Sequence, residues 1–240
     1  MLDFGFYNMD CMDGMKEFPD GYFDLAIVDP PYGGGFTEGG GCQGWFSKYH
    51  QNGNNGGSRH FVNGKRKKNS TYKAFKENAA DLKDKIIKWD VAPKEDYFKE
   101  LFRVSKNQII WGGNYFDLPP TRCFLVWRKL SISDNFSMAM AEYAWTSFQS
   151  NAKVFEKAPQ NSKRFHPTQK PIQLYTWILK NYAKRGDKIL DTHVGSASSL
   201  IACERMRFDY VGFEIDKEYY RLAKQRLDEE KMQLRFELLP

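Results

Sequence analysis

Short apolar runs alternate with helical segments toward the end of the chain, and that alternation restricts the fold more than any other feature of the sequence. Lys188-Ile189-Leu190 reads as a short strand and Ser196 to Arg205 as a helix. Tyr210 to Phe213 reads as a second strand and Asp216 to about Lys231 as a second helix, with Asp216 placed to cap it. Strands that alternate with helices pair in parallel through right-handed crossovers, so the pattern argues an α/β fold on a mostly parallel, doubly wound sheet. The 240 residues suffice for one large unit of this kind carrying an insertion. A chain of that size buries a sizeable core without disulfides or metals.

The rest of the chain fits the same plan. Phe4 to Asp10 is a short apolar-rich first strand, residues 11–18 a short helix, and Tyr22 to Val28 a strand that stops abruptly at Asp29-Pro30-Pro31-Tyr32. Two consecutive prolines forbid both a continuing ladder and an immediate helix, so the chain leaves the sheet as a stiff extended turn. Residues 73–105 read as helical with an interruption near Pro93. Asn107 to Trp111, Cys123 to Trp127 and Glu142 to Phe148 read as strands, and residues 149–165 as polar and irregular. Pro171 stands at a helix N1 position ahead of Ile172, Tyr175, Ile178 and Leu179.

Charge divides the chain unevenly. Of a net charge of +6, the whole excess lies between Gly33 and Asp90, where eleven basic residues face five acidic ones, and the remainder is balanced. This stretch includes the run Lys65-Arg66-Lys67-Lys68 and is rich in Gly, Asn and Ser, with Trp45, Phe46, Tyr49 and Phe61 interspersed. A localised basic excess points to a polyanionic partner, most often nucleic acid, against the commoner role of a solvated loop that keeps a protein soluble. The four cysteines, Cys11, Cys42, Cys123 and Cys203, form no CxxC pair, and Cys42, His50 and His60 match no familiar ligand spacing. Free thiols and no metal are therefore expected. No apolar run is long enough to span a membrane and Met1 to Gly5 shows no export signal, which predicts a cytoplasmic protein.

Three strand ends carry polar sequence, and in an open α/β sheet ligands sit beyond the carboxyl ends of the strands. Leu190 runs into Asp191-Thr192-His193-Val194-Gly195-Ser196-Ala197-Ser198, and Phe213 into Glu214-Ile215-Asp216. Gly195 and the small residues after it let a ligand approach the backbone at a helix N-terminus, and Glu214 is placed to accept hydrogen bonds from ribose hydroxyls. The loop lacks both GxGxxG and GK[ST], which weakens a dinucleotide reading and removes an ATPase.

The third end, Asp29-Pro30-Pro31-Tyr32, holds a carboxylate, a proline carbonyl and an aromatic face together. An exocyclic amine on a base is a poor nucleophile because its lone pair is delocalised into the ring. The Asp29 carboxylate and the Pro30 carbonyl can accept its two N–H hydrogens, which favours a pyramidal nitrogen and localises the lone pair. Tyr32 can stack on the base, and the prolines set the geometry before the substrate arrives.

Taken together, these motifs resemble the amino-methyltransferases that act on nucleic-acid bases, in the permuted arrangement called the beta class, where the catalytic motif precedes the S-adenosylmethionine (SAM) motifs. Asp29 to Tyr32 matches the catalytic motif, and His166-Pro167-Thr168-Gln169-Lys170-Pro171 the motif before the helix beside SAM. Asp191 to Ser198 aligns with the SAM loop, Glu214 with the ribose-binding acid, and Asp10 with the acid near the SAM adenine. Ile110 to Phe116, Phe124 to Trp127 and Ala144 to Ser147 resemble phage and prophage adenine-specific DNA methylases. The resemblance implies a single Rossmann-like SAM-dependent methyltransferase domain over 1–240, with the basic insertion 33–90 and the segment 128–165 as candidate DNA-recognition segments.

It further implies SAM as cofactor, with Asp10, His166, Thr168, Lys170, Asp191, His193, Gly195, Ser196 and Glu214 as its candidate partners. Asp29 to Tyr32 would be catalytic, and Lys65 to Lys68 would grip DNA. The expected reaction is direct methyl transfer to the N6 amine of adenine in a base flipped from duplex DNA. Adenine is preferred because N4-cytosine enzymes more often carry Ser in place of Asp29, and cytosine-N4 is the alternative. Relatives often dimerise and often serve restriction–modification, so a homodimer is implied and a restriction partner left open. In one respect the chain departs from the pattern: the usual DPFxGSGT loop has Thr192, His193 and Ala197 in place of Pro, Phe and the second Gly. Weakened SAM binding is the expectation, with an impaired DNA-binding relative as the second reading. A nicotinamide-dependent oxidoreductase would leave both proline motifs unexplained. The protein glutamine methyltransferases share Pro-Pro-Tyr but carry their SAM loop first.

Overall fold

The structure, a computed structural model, describes residues 1–33, 91–130, 139–159, 165, 166 and 168–237. The chain divides into two compact units, one of Met1–Pro30, Pro93–Asp134 and Ala139–Pro240, the other of Pro31–Ala92 and Asn135–Met138. The second unit takes in the basic stretch, and only 31–33, 91 and 92 of it fall among the described residues. The first unit is the sheet described below.

Its described elements run β1 (Gly5–Tyr7), α1 (Cys11–Lys16), β2 (Phe23–Val28), α2 (Glu95–Val104), β3 (Ser105–Trp111), a short 3-10 turn at Gly113–Tyr115, β4 (Phe124–Arg128), β5 (Ala141–Thr146) and β6 (Lys153–Glu156). They continue with α3 (Ile172–Tyr182), β7 (Lys188–Asp191), α4 (Ser198–Met206), β8 (Asp209–Phe213) and α5 (Lys217–Glu237). The strand order is β1-β8-β7-β2-β3-β5-β4-β6. Pairing is parallel from β1 through β3, whereas β5 runs antiparallel to both β3 and β4, and β6 returns parallel to β4. The expected α/β doubly wound sheet is present, with an antiparallel strand set into its far half.

Each central strand feeds both faces, as period-two alternation requires. Leu25 and Ile27 of β2, Ile109 and Trp111 of β3, and Ile189 of β7 join the core under α3, α4 and α5, with Leu174, Ile178, Leu200, Ala223 and Leu227. Ala26, Val28, Ile110 and Leu190 face the other way, onto Met15 and Phe18 near α1 and Tyr97, Phe98, Leu101 and Val104 of α2. Strands buried on both faces read as unbroken apolar runs, which is why Leu25 to Val28 shows no alternation of polarity. Burying each such aliphatic side chain stabilises the fold by about 1.5–3 kcal/mol. Gly14 lets α1 lie directly on β8, because a Cβ there would come 2.4 Å from the Phe213 ring.

The structure departs from the sequence expectation at several elements, since β1 is shorter than Phe4 to Asp10 and Ser105, read as helical, opens β3. β6 lies within residues 149–165, read as irregular. It is an edge strand with Lys153, Val154 and Glu156 exposed, so it needs no apolar pattern. Pro171 is the N-cap of α3, with extended backbone (ψ 139°), and not its first helical residue. Helix α4 starts at Ser198 instead of Ser196, because Ala197 has φ 60°, outside the right-handed helical region. Asp216 does cap α5: its Oδ1 accepts from the backbone N–H of Glu218 and Tyr219, both at 2.9 Å.

Candidate active site

Because β1, β8, β7, β2 and β3 are parallel, their carboxyl ends fall along one edge of the sheet. That edge carries Asn8 and Asp10 after β1, Glu214 after β8, the loop from Asp191 after β7 and Asp29 after β2. A cleft on it is lined by Met9, Asp10, Cys11, Thr192, His193, Phe213, Glu214 and Ile215. Asp10, His193 and Glu214, separated by up to 204 positions in the sequence, are thus brought together as expected.

Glu214 ties the cleft's two walls. Its Oε2 accepts from the Gly195 N–H at 2.9 Å and its Oε1 from the Asp216 N–H at 2.9 Å, while burial raises its carboxyl above the usual range against those hydrogen bonds. Asn8 Nδ2 donates to the Glu214 carbonyl at 2.7 Å, fixing the end of β1 beside it. Asp10 caps α1 by accepting from the Met12 N–H at 2.7 Å. The Cys11 thiol is pushed up to about 12, by burial first and by Asp10 next, so it stays protonated in the cleft.

The Asp191 loop is held from below. One Asp191 oxygen accepts from the His193 N–H at 3.0 Å and the other from the Ser199 hydroxyl, with the side chain 3% exposed. Burial pushes this carboxyl up to about 7, against those two hydrogen bonds. Both oxygens thus hold the loop, and Asp191 itself is not among the residues that line the cleft. Gly195, at φ 53°, permits the turn and leaves the His166 ring so close that a Cβ would meet Cε1 at 3.1 Å. His166 sits edge-on to Tyr219 of α5, at 4.4 Å between ring centroids, and its Nδ1 lies 3.1 Å from Thr168 Oγ1. The Ser196 hydroxyl turns to Ser198 Oγ at 3.1 Å, and its carbonyl accepts from Arg226.

Asp29 is the terminus of a buried chain of alternating charge. Lys170, 3% exposed, is hydrogen-bonded to Asp29 Oδ2 and lies 3.1 Å from Glu142 Oε2. Glu142 in turn meets Lys129 Nζ at 2.6 Å. Burial by itself would depress the Lys170 ammonium, but Asp29 and Glu142 beside it hold it above the usual lysine range. Burial would likewise raise Glu142, but Lys170 and Lys129 hold it below the usual carboxylate range. Two cations and two anions cancel, which is what burying charge requires. Removing one member of such a chain strands a partner and costs about 3–5 kcal/mol. The Lys170 ammonium also stands 5.3 Å from the centroid of the buried Trp111 ring.

The motif from His166 to Pro171 therefore straddles the site, with His166 against the Gly195 loop and Lys170 on Asp29. Pro30 is buried at the end of the first unit, while Pro31 and the half-buried Tyr32 follow in the second. Lys65, Arg66, Lys67 and Lys68 lie outside the described residues, as do Cys42, His50 and His60. Sequence reasoning missed Glu142, Lys129 and Tyr97. Nothing in the local pattern marks them: Glu142 is one polar residue in a strand, and its role exists only through β4–β5 pairing, where it sits opposite Trp127. Among the described residues no group of three or more His, Cys, Asp or Glu could hold a metal ion, and no helix is long and apolar enough to cross a membrane.

Comparison with known proteins shows the family to which the chain belongs. The profile of the N6/N4 methylase family, described as DNA methylase, matches residues 23–225. The type II methyltransferase M.HpaI of Haemophilus parainfluenzae is 39% identical over 69 residues, which is 29% of this chain and 22% of that protein. The matched stretch thus spans about a quarter of the length of such relatives. M2.MboI of Moraxella bovis, another type II methyltransferase, is 25% identical over 95% of this chain and 88% of its own. The crystal structure of an M1.HpyAVI–SAM complex superposes with a TM-score of 0.50 at 17% identity, over 93% of this chain and 98% of that one, a likeness of fold.

Proposed function

Since the chain belongs to the N6/N4 DNA methylase family, we propose that it methylates the exocyclic N6 amine of adenine in DNA, with SAM as donor and the target base flipped from the duplex. The observation that carries this reading is that Asp29 follows β2, the neighbour of β7, at the same sheet edge as the Glu214–His193 cleft. The cleft's acceptor set fits the cofactor: beside the backbone N–H bonds they already accept, the Glu214 and Asp10 carboxylates keep lone pairs for hydroxyl and amine hydrogens, and Gly195 brings backbone close. M1.HpyAVI was crystallised with SAM, which supports the same assignment. When bound, SAM supplies a methyl group activated by a sulfonium.

The chain's own residues prepare the acceptor. The Asp29 carboxylate and the Pro30 carbonyl take the two amine hydrogens and draw the lone pair out of the ring. Lys170 fixes Asp29 from behind, and Pro30 and Pro31 stiffen the turn, so little orientation entropy is lost on binding. Tyr32 is assigned the base-stacking role, worth about 1–3 kcal/mol. The amine proton leaves after transfer, because a neutral aromatic amine is too weak an acid to lose it first. Asp at position 29 favours adenine; cytosine-N4 presents the same chemical problem.

The test is to incubate the purified chain with SAM and unmethylated DNA, digest to nucleosides and identify the product by mass spectrometry, with Asp29→Ala as control. N6-methyladenine that disappears in the variant is the expected result. N4-methylcytosine would keep the mechanism and replace the substrate. No methylation and no SAM binding would leave a DNA-binding relative.

A further inference from the structure

Two of the three departures from the family loop pattern, Thr192 and His193, are hydrogen-bonded to each other: Thr192 Oγ1 lies 2.9 Å from His193 Nδ1. On its other side Thr192 Oγ1 lies 2.6 Å from the hydroxyl of Tyr97, on α2. The Tyr97 and His193 rings meet edge to face at 5.4 Å between centroids. Tyr97 is 4% and Thr192 2% exposed, so both side chains are almost wholly buried.

Counting protons gives this chain one direction. The Tyr97 hydroxyl has no other partner among the described residues, so its proton goes to Thr192 Oγ1. Among the described residues the Thr192 proton then has one acceptor within hydrogen-bond distance, His193 Nδ1. The reverse direction would leave the Tyr97 proton buried without an acceptor, a loss of about 1–3 kcal/mol. An Nδ1–H aimed at Thr192 would strand the Thr192 proton in the same way. His193 is therefore the Nε2–H tautomer. Its Nε2 bonds to no described residue and is not sealed in, on a side chain that lines the cleft with Asp10 and Glu214.

We propose that Tyr97 and Thr192 are positioning residues that lock His193 as a fixed Nε2–H donor to an acceptor atom of the cofactor. This rests on the cleft being the cofactor site. Asp10 and Glu214 offer that cleft acceptors, and His193 supplies a directed donor, which a phenylalanine at the same position would lack. Burial, which pulls the imidazole down to about 4, keeps it neutral and the tautomer defined at working pH.

Two measurements test this. Long-range nitrogen–proton NMR on the cofactor-free protein should show His193 Nδ1 as the unprotonated ring nitrogen, and Thr192→Val should abolish that preference. Calorimetric titration with SAM should show Thr192→Val and His193→Phe each weakening binding roughly two- to tenfold, the equivalent of one neutral hydrogen bond. The double variant should be no worse than His193→Phe, and Thr192→Ser, which keeps the hydroxyl, should bind within about twofold of the wild type. A protonated Nδ1 in the wild type, unchanged affinity in both single variants, or additive losses in the double variant would overturn the proposal. A wild-type chain that binds no SAM would overturn the cofactor reading beneath it. The tautomer of the free protein distinguishes that failure from a failure of the relay.

Discussion

Burial acts on Asp191 and His193 with opposite consequences for stability. The Asp191 carboxyl is pushed up to about 7, so between about pH 4 and 7 the folded state holds a proton that the unfolded state has released. Its contribution is full below about pH 4 and is lost as pH rises through 7. The His193 imidazole is pulled down to about 4, so between about pH 4 and 6.5 the unfolded state holds the extra proton. Its contribution is full above 6.5 and is lost as pH falls toward 4. Each group alone gives a slope of about 1.4 kcal/mol per pH unit, and from about pH 4 to 6.5 the two cancel. Urea denaturation across that range should show Asp191→Asn gaining stability with rising pH relative to the wild type and His193→Phe losing it. Slopes of the same sign in both variants would refute the assignment. The loop's location at a strand end was legible from Asp191 to Ser198. This opposition was not, because it depends on how deeply each side chain is covered by elements distant in the chain.

Helix α4 is bounded at both ends by left-handed residues that are not glycine. Ala197 precedes it at φ 60°, and Arg207 closes it at φ 59°, with the Phe208 N–H reaching back to the Cys203 carbonyl at 3.0 Å in a Schellman-type turn. An L-residue pays roughly 1–2 kcal/mol for that conformation, and glycine does not. Arg207 is exposed, so Arg207→Gly should stabilise the protein by about 1 kcal/mol and raise the melting temperature by a few degrees. Ala197 is fully buried, so Ala197→Gly trades relief of strain against a lost methyl contact of about 0.8 kcal/mol and should be nearly neutral. A destabilised Arg207→Gly would show that the turn needs its side chain. The sequence pattern reveals this helix but not its first residue, since positive φ at an alanine leaves no trace in apolar periodicity. Strand β6 escaped for a related reason: an exposed edge strand is under no pressure to alternate. The central strands β2, β3, β7 and β8 were legible because burial on both faces forces continuous apolar runs.

At the scale of the molecule, sheet order brings Asp29 and the Asp191 loop together: β2 and β7 are neighbours although Asp29 and Asp191 are 162 positions apart in the sequence. The sequence shows that both turns follow strands, but adjacency is decided by packing across the whole sheet. Charge, by contrast, is fully legible, since the +6 excess is carried by residues 33–90 while the rest of the chain is neutral. If the chain acts on DNA as proposed, a net-neutral remainder adds little nonspecific attraction to a phosphate backbone, and the basic stretch is the candidate to supply it. Each phosphate contact releases counterions and contributes about 0.9 to the slope of log affinity against log salt on duplex DNA. Replacing Lys65, Arg66, Lys67 and Lys68 together by Gln should therefore weaken DNA binding across unrelated sequences and lower the magnitude of that slope by about 3–4 if all four contact phosphates. Fluorescence anisotropy over a salt series measures both quantities, and SAM affinity unchanged from the wild type serves as the control for folding. Equal slopes for variant and wild type would return the run to a solubility role and shift the search for the DNA grip to the remaining lysines between Gly33 and Asp90.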